Sequence, residues 1–106
     1  MFATVRTYRV GAGTLDAVMH RVDRDFAESL AAEPGFISYQ AIETGEDMLM
    51  TISVFSNADQ AQASNDLAAR WVMEELADFE ISRVGVIGGD VMVSRASSEA
   101  LVPAHH

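Results

Sequence analysis

The sequence contains no cysteine, few basic residues and no long apolar run, and each absence excludes a class of function. Without cysteine the chain has no disulfide, no thiolate nucleophile and no cysteine-based metal site. Seven basic residues against 16 acidic ones give a net charge of −9, which argues against nucleic acid and anionic membranes as partners. The first residues contain no apolar segment of the kind found in signal peptides or membrane spans, so we expect a soluble cytoplasmic protein.

The familiar catalytic patterns are also missing. No paired carboxylates, Ser/His/Asp set, metal-ligand spacing or phosphate-binding loop is present, so hydrolase and kinase functions have no support. His20 lies off the apolar stripe of its predicted helix, and we interpret it as a solvated surface residue. We expect the terminal His105-His106 to be an expression remnant rather than a metal site. We therefore expect neither a metal nor another cofactor.

A β-hairpin is predicted in the middle of the chain. Two runs rich in β-branched, aromatic and methionine residues, 36–43 and 48–55, flank a turn with Gly45-Glu46 at its centre. Glycine at the first central position suits a type II′ turn because it accepts a positive φ. Counting outward pairs Gln40 with Thr51, although a three-residue turn would shift this register. Side chains alternate between the two faces of a strand. One face then carries Phe36, Ser38, Gln40, Ile42, Leu49, Thr51, Ser53 and Phe55. The other carries Ile37, Tyr39, Ala41, Met48, Met50, Ile52 and Val54.

A long amphipathic helix follows the hairpin, with Asn57 as its predicted N-cap. Its apolar arc consists of Ala61, Ala68, Val72, Leu76 and Phe79, with Trp71 on the flank. Asn65 falls near the middle of that arc. Burying an unpaired amide costs about 1–3 kcal/mol. Asn65 therefore needs a partner: a backbone group, a water or a ligand.

The remaining elements complete a βαββαβ order. Phe2–Val10 alternates as a first strand, a first helix ends at Glu33-Pro34, and Asp90–Arg95 alternates as a last strand. This order predicts an α+β, ferredoxin-like fold, in which two helices lie on one face of a four-stranded antiparallel sheet. We expect one domain over residues 1–96 and a tail over residues 97–106.

The helix-free face of the predicted sheet is almost wholly apolar. A monomer would leave on this face an apolar patch larger than isolated soluble proteins carry. Burial against a second copy removes this patch from water, so we expect a homodimer that associates through the helix-free sheet face.

The spacing of glycine, aromatic and helix residues resembles the antibiotic biosynthesis monooxygenase family, in particular a bacterial branch without a characterised function. The resemblance spans about residues 2–96 and rests on three runs: Glu33-Pro34-Gly35-Phe36, Ser53-Val54-Phe55 and Ala69-Arg70-Trp71-Val72. It implies a dimeric α/β barrel with a pocket between sheet and helices. It also implies oxygenation of an acidic phenol or quinol without metal or flavin, in an apolar cavity with hydrogen-bond donors aimed at the developing anion.

The chain departs from the pattern of that family at two points. Characterised oxygenases carry an Asn and a Trp four residues apart on the third strand, and the matching positions here are Thr51 and Phe55. Members that bind and degrade heme use a histidine late in the second helix, which contains none here. The resemblance therefore disfavours heme chemistry and does not assign catalytic residues.

The candidate pocket residues are polar or aromatic side chains expected between sheet and helices: Asn65, Trp71, Gln40, Thr51, Ser53, Phe55, Arg6 and Tyr8. Each has a structural alternative. Trp71 packs against the sheet or covers a ligand, Ser53 bonds across strands, and Arg6 pairs with a carboxylate or anchors an anionic substrate. Two functions remain open: a cofactor-independent monooxygenase of a small aromatic or quinol, or a non-catalytic dimer of the same fold that binds a small apolar or aromatic ligand or serves as an accessory protein.

Overall fold

Strands and helices alternate in the predicted order. The structure, a computed structural model, describes residues 1–97. Its strands are β1 (Phe2–Arg9), β2 (Phe36–Gly45), β3 (Met48–Phe55) and β4 (Ser82–Asp90). Its helices are α1 (Leu15–Arg21), a π-helical segment (Val22–Phe26), α2 (Ala27–Ala31), α3 (Ala58–Glu75) and a short 3₁₀ turn (Ala77–Phe79).

The helical segments between β1 and β2 form one continuous helix with a wider turn in its middle. The residues at each internal boundary keep right-handed helical dihedrals, so the chain does not break there. Val22, Phe26 and Leu30 are all buried, although they are spaced by four residues rather than by 3.6. The wider π-helical turn keeps this spacing on one face, and it directs Phe26 toward the sheet.

The sheet is wholly antiparallel, with the strand order β2-β3-β1-β4. Side chains of β3 alternate between buried and half-buried, and the buried ones are Leu49, Thr51, Ser53 and Phe55. These residues face the helices, which cover one side of the sheet only. The fold is therefore the predicted ferredoxin-like α+β arrangement, with its core between the sheet and the helices.

The second helix begins as the sequence predicts. The Asn57 side chain accepts a hydrogen bond from the main-chain nitrogen of Gln60 at 2.9 Å, which satisfies one free N–H of the first turn of α3. Ala61 and Ala68 are buried on the face that looks toward the sheet. Asn65 lies between them on the same stripe, so its amide also points inward.

The β2–β3 turn lies one residue later than predicted. Its two turn residues are Glu46 and Asp47 rather than Gly45 and Glu46. Asp47 has a φ of 60°, a left-handed conformation that aspartate adopts more readily than most residues. Its main-chain oxygen accepts a hydrogen bond from Val10 at 2.9 Å, and its carboxylate accepts one from Gly13 at 3.1 Å. The loop after β1 thus holds this turn in place.

The shifted turn changes which side chains of β2 face the helices. Two irregularities leave Phe36 opposite Phe55 as predicted but move the middle of the strand by one residue. Tyr39 lies opposite Ser53, so it faces the helices, and Gln40 lies opposite Ile52 on the other side of the sheet. The predicted faces are therefore wrong for Ser38, Gln40 and Ile42, and equally for Tyr39 and Ala41.

The last strand is also displaced from its predicted position. β4 pairs with β1 along the whole length of β1 and ends at Asp90. The sequence had instead predicted the last strand over Asp90–Arg95. The strand includes three glycines, Gly85, Gly88 and Gly89. A Cβ on Gly88 would lie 2.9 Å from the Phe2 ring, so a glycine lets that ring lie against the strand. Apart from Ser97, the predicted tail at residues 97–106 lies outside the described residues.

The other side of the sheet carries apolar side chains and no covering helix. A row of directly paired residues crosses all four strands on that side: Gln40, Ile52, Val5 and Ile87. Ile87 is 72% exposed in the single chain. Within residues 1–97 no helix is long and apolar enough to cross a membrane.

Candidate ligand-binding site

A cavity lies between the sheet and α3, at the level of the central strands. Its free space is about 310 Å³ when the part open to solvent is counted. Its lining residues are Arg6, Tyr8, Val22, Phe26, Tyr39, Leu49, Thr51, Ala68, Trp71, Val72, Leu76 and Ile81. Small Ala68 on α3 leaves this room, because a larger side chain there would occupy it.

Three aromatic rings form one wall of the cavity. The Phe26 ring centre lies 5.6 Å from that of Tyr39, in an edge-to-face arrangement, and 5.2 Å from that of Trp71. Phe26 comes from the π-helical segment, Tyr39 from β2 and Trp71 from α3. The wall therefore joins three elements, and Trp71 and Tyr39 are only half-buried. An aromatic ligand can stack against such a wall.

Arg6 is the main polar feature of the cavity. It lies on β1 and is only 1% exposed. Its Nη1 donates to Asn65 Oδ1 at 2.6 Å, and its Nε donates to Thr51 Oγ1 at 3.4 Å. Its Nη2 is buried and has no hydrogen-bond partner among the described residues. The guanidinium is thus held from the sheet and from α3, with one nitrogen left free.

Neither group that holds Arg6 carries a charge. Asn65 and Thr51 offer an amide and a hydroxyl oxygen, and the only ion pair among the described residues joins Arg24 to Asp25. Arg6 therefore carries an unneutralised charge inside a chain that has 16 acidic residues. Burial lowers the pKa of Arg6, yet an arginine side chain stays protonated in proteins.

Two tyrosines stand beside this charge as protonated donors. Burial raises the pKa of Tyr8, against the opposing influence of Arg6 and Arg83. Burial also raises the pKa of Tyr39, while Arg6 and the Thr51 hydroxyl act in the opposite direction. Both phenols therefore remain neutral near pH 7, and each can donate a hydrogen bond to an oxygen in the cavity.

Two further buried hydroxyls lie on the same face of the sheet. Thr4 and Ser53 are paired across β1 and β3, and both are almost completely buried. Neither Thr4 Oγ1 nor Ser53 Oγ has a hydrogen-bond partner among the described residues. The polar side chains therefore form a strip over the central strands, in which Arg6 and Thr51 are the next directly opposed pair.

The structure brings together most of the residues proposed from the sequence. Arg6, Tyr8, Thr51 and Trp71 line the cavity, and Asn65 contacts it through Arg6. The partner of Asn65 is thus a buried side chain, which was not among the alternatives considered. Two others, Ser53 and Phe55, are buried on the same sheet face without lining the cavity. The ring centre of Phe55 lies 5.8 Å from that of Phe36. Gln40 lies on the opposite face, so its placement at the cavity was wrong.

Sequence reasoning missed Tyr39, which joins the aromatic wall. Only the hairpin register decides whether Tyr39 or Gln40 faces the helices, and that register was off by one residue. One signal in the sequence favoured Tyr39: it is an aromatic residue in the middle of a strand that packs beside an apolar helix arc. Among the described residues that line the cavity, none carries a carboxylate or an imidazole. The site is therefore rich in hydrogen-bond donors and poor in bases.

The chain matches the sequence model of the antibiotic biosynthesis monooxygenase family over residues 1–70. No curated protein matches it in sequence.

Solved structures support the fold. MupZ from Pseudomonas fluorescens has a TM-score of 0.69 at 18% identity, over 82% of this chain and 65% of its own, so the present chain spans about two thirds of that protein. The heme-degrading MhuD from Mycobacterium tuberculosis, with two hemes bound in its active site, has a TM-score of 0.69 at 17% identity, and the match covers 91% of this chain and 100% of MhuD. A dimeric ferredoxin-like protein from an uncultured marine organism has a TM-score of 0.68 at 13% identity, and the match covers 91% of this chain and 98% of that protein.

Proposed function

Because this chain belongs to the antibiotic biosynthesis monooxygenase family, we propose that it oxygenates a small aromatic or quinol-type substrate without a metal or flavin. The observation that supports this most is the cavity itself, an aromatic-walled space between sheet and helix that contains a buried guanidinium and two phenolic donors. Such donors stabilise negative charge on a substrate oxygen, and the aromatic wall holds the ring and excludes water.

The proposed reaction turns a ring C–H of a phenol into a carbonyl. One atom of O2 forms the new C=O bond, and the other leaves as water with the ring hydrogen and the phenolic hydrogen. The substrate supplies every electron, so one phenol and one O2 give one quinone and one water. The protein contributes by holding the electron-rich phenolate form, because an anionic ring donates electrons to O2 more readily than a neutral one.

A ring-sized substrate requires the cavity to open. The enclosed part of the cavity has room for roughly one water molecule. Trp71 and Tyr39 are half-buried. They are the wall residues with solvent on one side, so they can rotate outward to admit a ring. Arg6 stays fixed by its bonds to both the sheet and α3.

Heme does not fit these residues. MhuD binds two hemes in its active site, but α3 of this chain has no histidine to ligate iron, and His20 is exposed on α1. No step of the proposed reaction therefore passes through heme.

A non-catalytic role in ligand binding is the second candidate. The observation that favours it is the lack of a carboxylate or imidazole among the described residues that line the cavity. A protein that must remove a proton from its substrate uses such a base. A protein that only binds a small aromatic anion does not need one.

We also propose that the chain works as a homodimer. The apolar residues Ile52, Val5 and Ile87 on the helix-free side of the sheet support a second copy on that side, and one structural relative is described as a dimeric ferredoxin-like protein. Face-to-face packing of two sheets would leave both cavities on the outer, helix-covered sides. Each protomer would then keep its own site.

Oxygen uptake across a panel of naphthols and quinols tests the proposed activity. We expect O2 consumption and quinone formation with at least one member, in protein free of added metal and flavin. Arg6→Met should lower kcat/KM by roughly 100-fold, the usual effect of losing one donor to a developing oxyanion. Arg9→Met is the matched control, since Arg9 is an exposed arginine on the same strand. A rate no higher than that of the protein-free blank on every substrate would contradict the oxygenase and favour the binding protein.

A further inference from the structure

We propose that the folded chain binds one small monoatomic anion, a halide such as chloride, between the side chains of Arg6, Thr4 and Ser53. This ion site differs from the ligand cavity, because Thr4 and Ser53 do not line that cavity. The inference goes beyond the proposed function and does not depend on it. The ion completes the polar part of the core and takes no part in a reaction.

Three buried polar atoms on one face of the sheet have no hydrogen-bond partner among the described residues. They are Nη2 of Arg6, Oγ1 of Thr4 and Oγ of Ser53. All three residues are at most 1% exposed, so bulk water does not reach these atoms. Most buried polar atoms in proteins are paired, because an unpaired one is costly. Three such donors in one region indicate a common acceptor.

The strand register brings the three side chains together. Thr4 lies directly opposite Ser53, and Arg6 lies two residues further along β1, in the next pair on the same face. The Cβ atoms of directly opposed residues are about 4.5–5.5 Å apart. The two short hydroxyl side chains form no hydrogen bond with each other, which leaves a gap between them. One atom in that gap can accept from both hydroxyls and from Nη2 of the neighbouring guanidinium.

The charge balance favours an anion over a water molecule in this gap. A buried cation is normally paired, because an uncompensated charge in a poorly solvated interior is expensive. The hydrogen-bond partners of Arg6 are a neutral amide and a neutral hydroxyl. The other titratable groups that act on it are Tyr8, Tyr39 and Arg83, and none of these is a carboxylate. A water molecule would complete the hydrogen bonds only, whereas a halide accepts from all three donors and also neutralises the guanidinium.

The size of the space restricts the anion to a single atom. The three residues are buried beneath the helices, and the enclosed part of the neighbouring cavity has room for roughly one water molecule. Chloride and bromide are only slightly larger than water. Sulfate, phosphate and organic carboxylates are larger and need a wider space. The site should therefore select halides by size as well as by charge.

Bromide provides the direct test, because it can replace chloride and is located by anomalous diffraction. Crystals grown in sodium bromide, measured at the bromine absorption edge, should show an anomalous peak within hydrogen-bond distance of Arg6 Nη2 and of the Thr4 and Ser53 hydroxyls. Crystals grown in sodium gluconate are the control, since gluconate is too large to enter. A water molecule at this position, or peaks from adventitious ions on the surface only, would overturn the inference.

Urea unfolding tests the same site in solution. The wild-type midpoint should rise when sodium chloride replaces sodium gluconate at equal ionic strength, because a ligand that binds only the folded state stabilises it. Thr4→Val removes one donor and should weaken chloride binding roughly tenfold or more, the effect of losing a hydrogen bond to a charged group. In gluconate the same variant should be at least as stable as the wild type, since it removes an unpaired hydroxyl.

Two further variants of β1 and one of β3 separate this site from a general salt effect. Thr4→Ser keeps the hydroxyl and should keep the response to chloride, whereas Ser53→Ala should lose it. Thr7→Val is the matched control, because Thr7 lies on the helix-free side of the same strand, opposite Met50. It should respond to chloride as the wild type does. An equal chloride response in the wild type, Thr4→Val and Ser53→Ala would overturn the inference, whatever the oxygen-uptake experiments show.

Discussion

A single polar residue on an apolar helix face, Asn65, pointed to the candidate site of this chain. Asn65 stands between Ala61 and Ala68 on the buried stripe of α3, where an amide without a partner would be costly. Its partner is Arg6, 59 positions earlier, through a bond of 2.6 Å from Nη1. Each residue therefore supplies the hydrogen-bond partner that the other needs: Nη1 of the guanidinium donates, and the amide oxygen accepts.

Replacement of Asn65 by alanine should therefore destabilise the fold even without a ligand. The change removes a hydrogen bond to a charged group and leaves Nη1 of Arg6 buried without a partner, which costs about 1.5–3 kcal/mol. Urea unfolding followed by circular dichroism measures this loss, and Gln62→Ala on the exposed side of the same helix is the control. A midpoint equal to that of the wild type would mean that Asn65 serves the ligand rather than the guanidinium.

At the scale of elements, local signals were reliable and long-range ones were not. The order of strands and helices, the N-cap at Asn57 and the inward position of Asn65 follow from hydrophobic spacing and capping chemistry, which act within a few residues. The hairpin register depends instead on Asp47, whose turn conformation is held by Val10 and Gly13 from another part of the chain. No pattern within the hairpin reveals that contact, so Tyr39 and Gln40 were placed on the wrong faces.

The displaced last strand has a similar cause. The alternation over Asp90–Arg95 predicted a strand there, whereas β4 lies earlier and contains Gly85, Gly88 and Gly89, although glycine is usually unfavourable in a strand. Pairing with β1 provides their hydrogen bonds, and the Phe2 ring needs the space beside Gly88. The contact between Arg6 and Asn65 was missed for the same reason. Each residue was singled out from the sequence, but no local pattern shows that the two meet. A long-range pair becomes visible only when the strands are in register.

The turn before β2 provides a test at this scale. Gly35 and Gly13 both have positive φ, 78° and 76°, but only Gly35 is crowded: a Cβ there would collide with the Gln60 side chain of α3. Gly13→Ala should cost about 1–2 kcal/mol for the left-handed backbone alone. Gly35→Ala should cost more, because the end of the Gln60 side chain must also leave its present position. Comparison of the two urea midpoints isolates this contribution, and equal losses would show that the Gln60 side chain rotates aside at no cost.

At the scale of the whole molecule, the charge of the chain and the charge of its cavity are opposite. The net charge of −9 belongs to the chain as a whole, whereas Arg6 is a buried positive charge without an ion-pair partner among the described residues. Any attraction of the cavity for negative charge therefore acts at short range, against the field of the whole chain. The same net charge also opposes association of two copies, so a dimer must be held by apolar area.

The helix-free side of the sheet provides that area and leads to the last prediction. Ile52, Val5 and Ile87 are paired across β3, β1 and β4, and two such surfaces packed face to face would remove each of them from water. Sedimentation at micromolar concentration should give twice the chain mass of 11.5 kDa. Ile52→Lys places a charge at the centre of this surface and should give a monomer or insoluble protein, because a buried unpaired charge costs several kcal/mol. Gln62→Lys on the exposed side of α3 adds the same charge away from the sheet and should leave the dimer intact. A wild-type monomer at these concentrations would contradict the proposed dimer, while the cavity, which is built from one chain, would be unaffected.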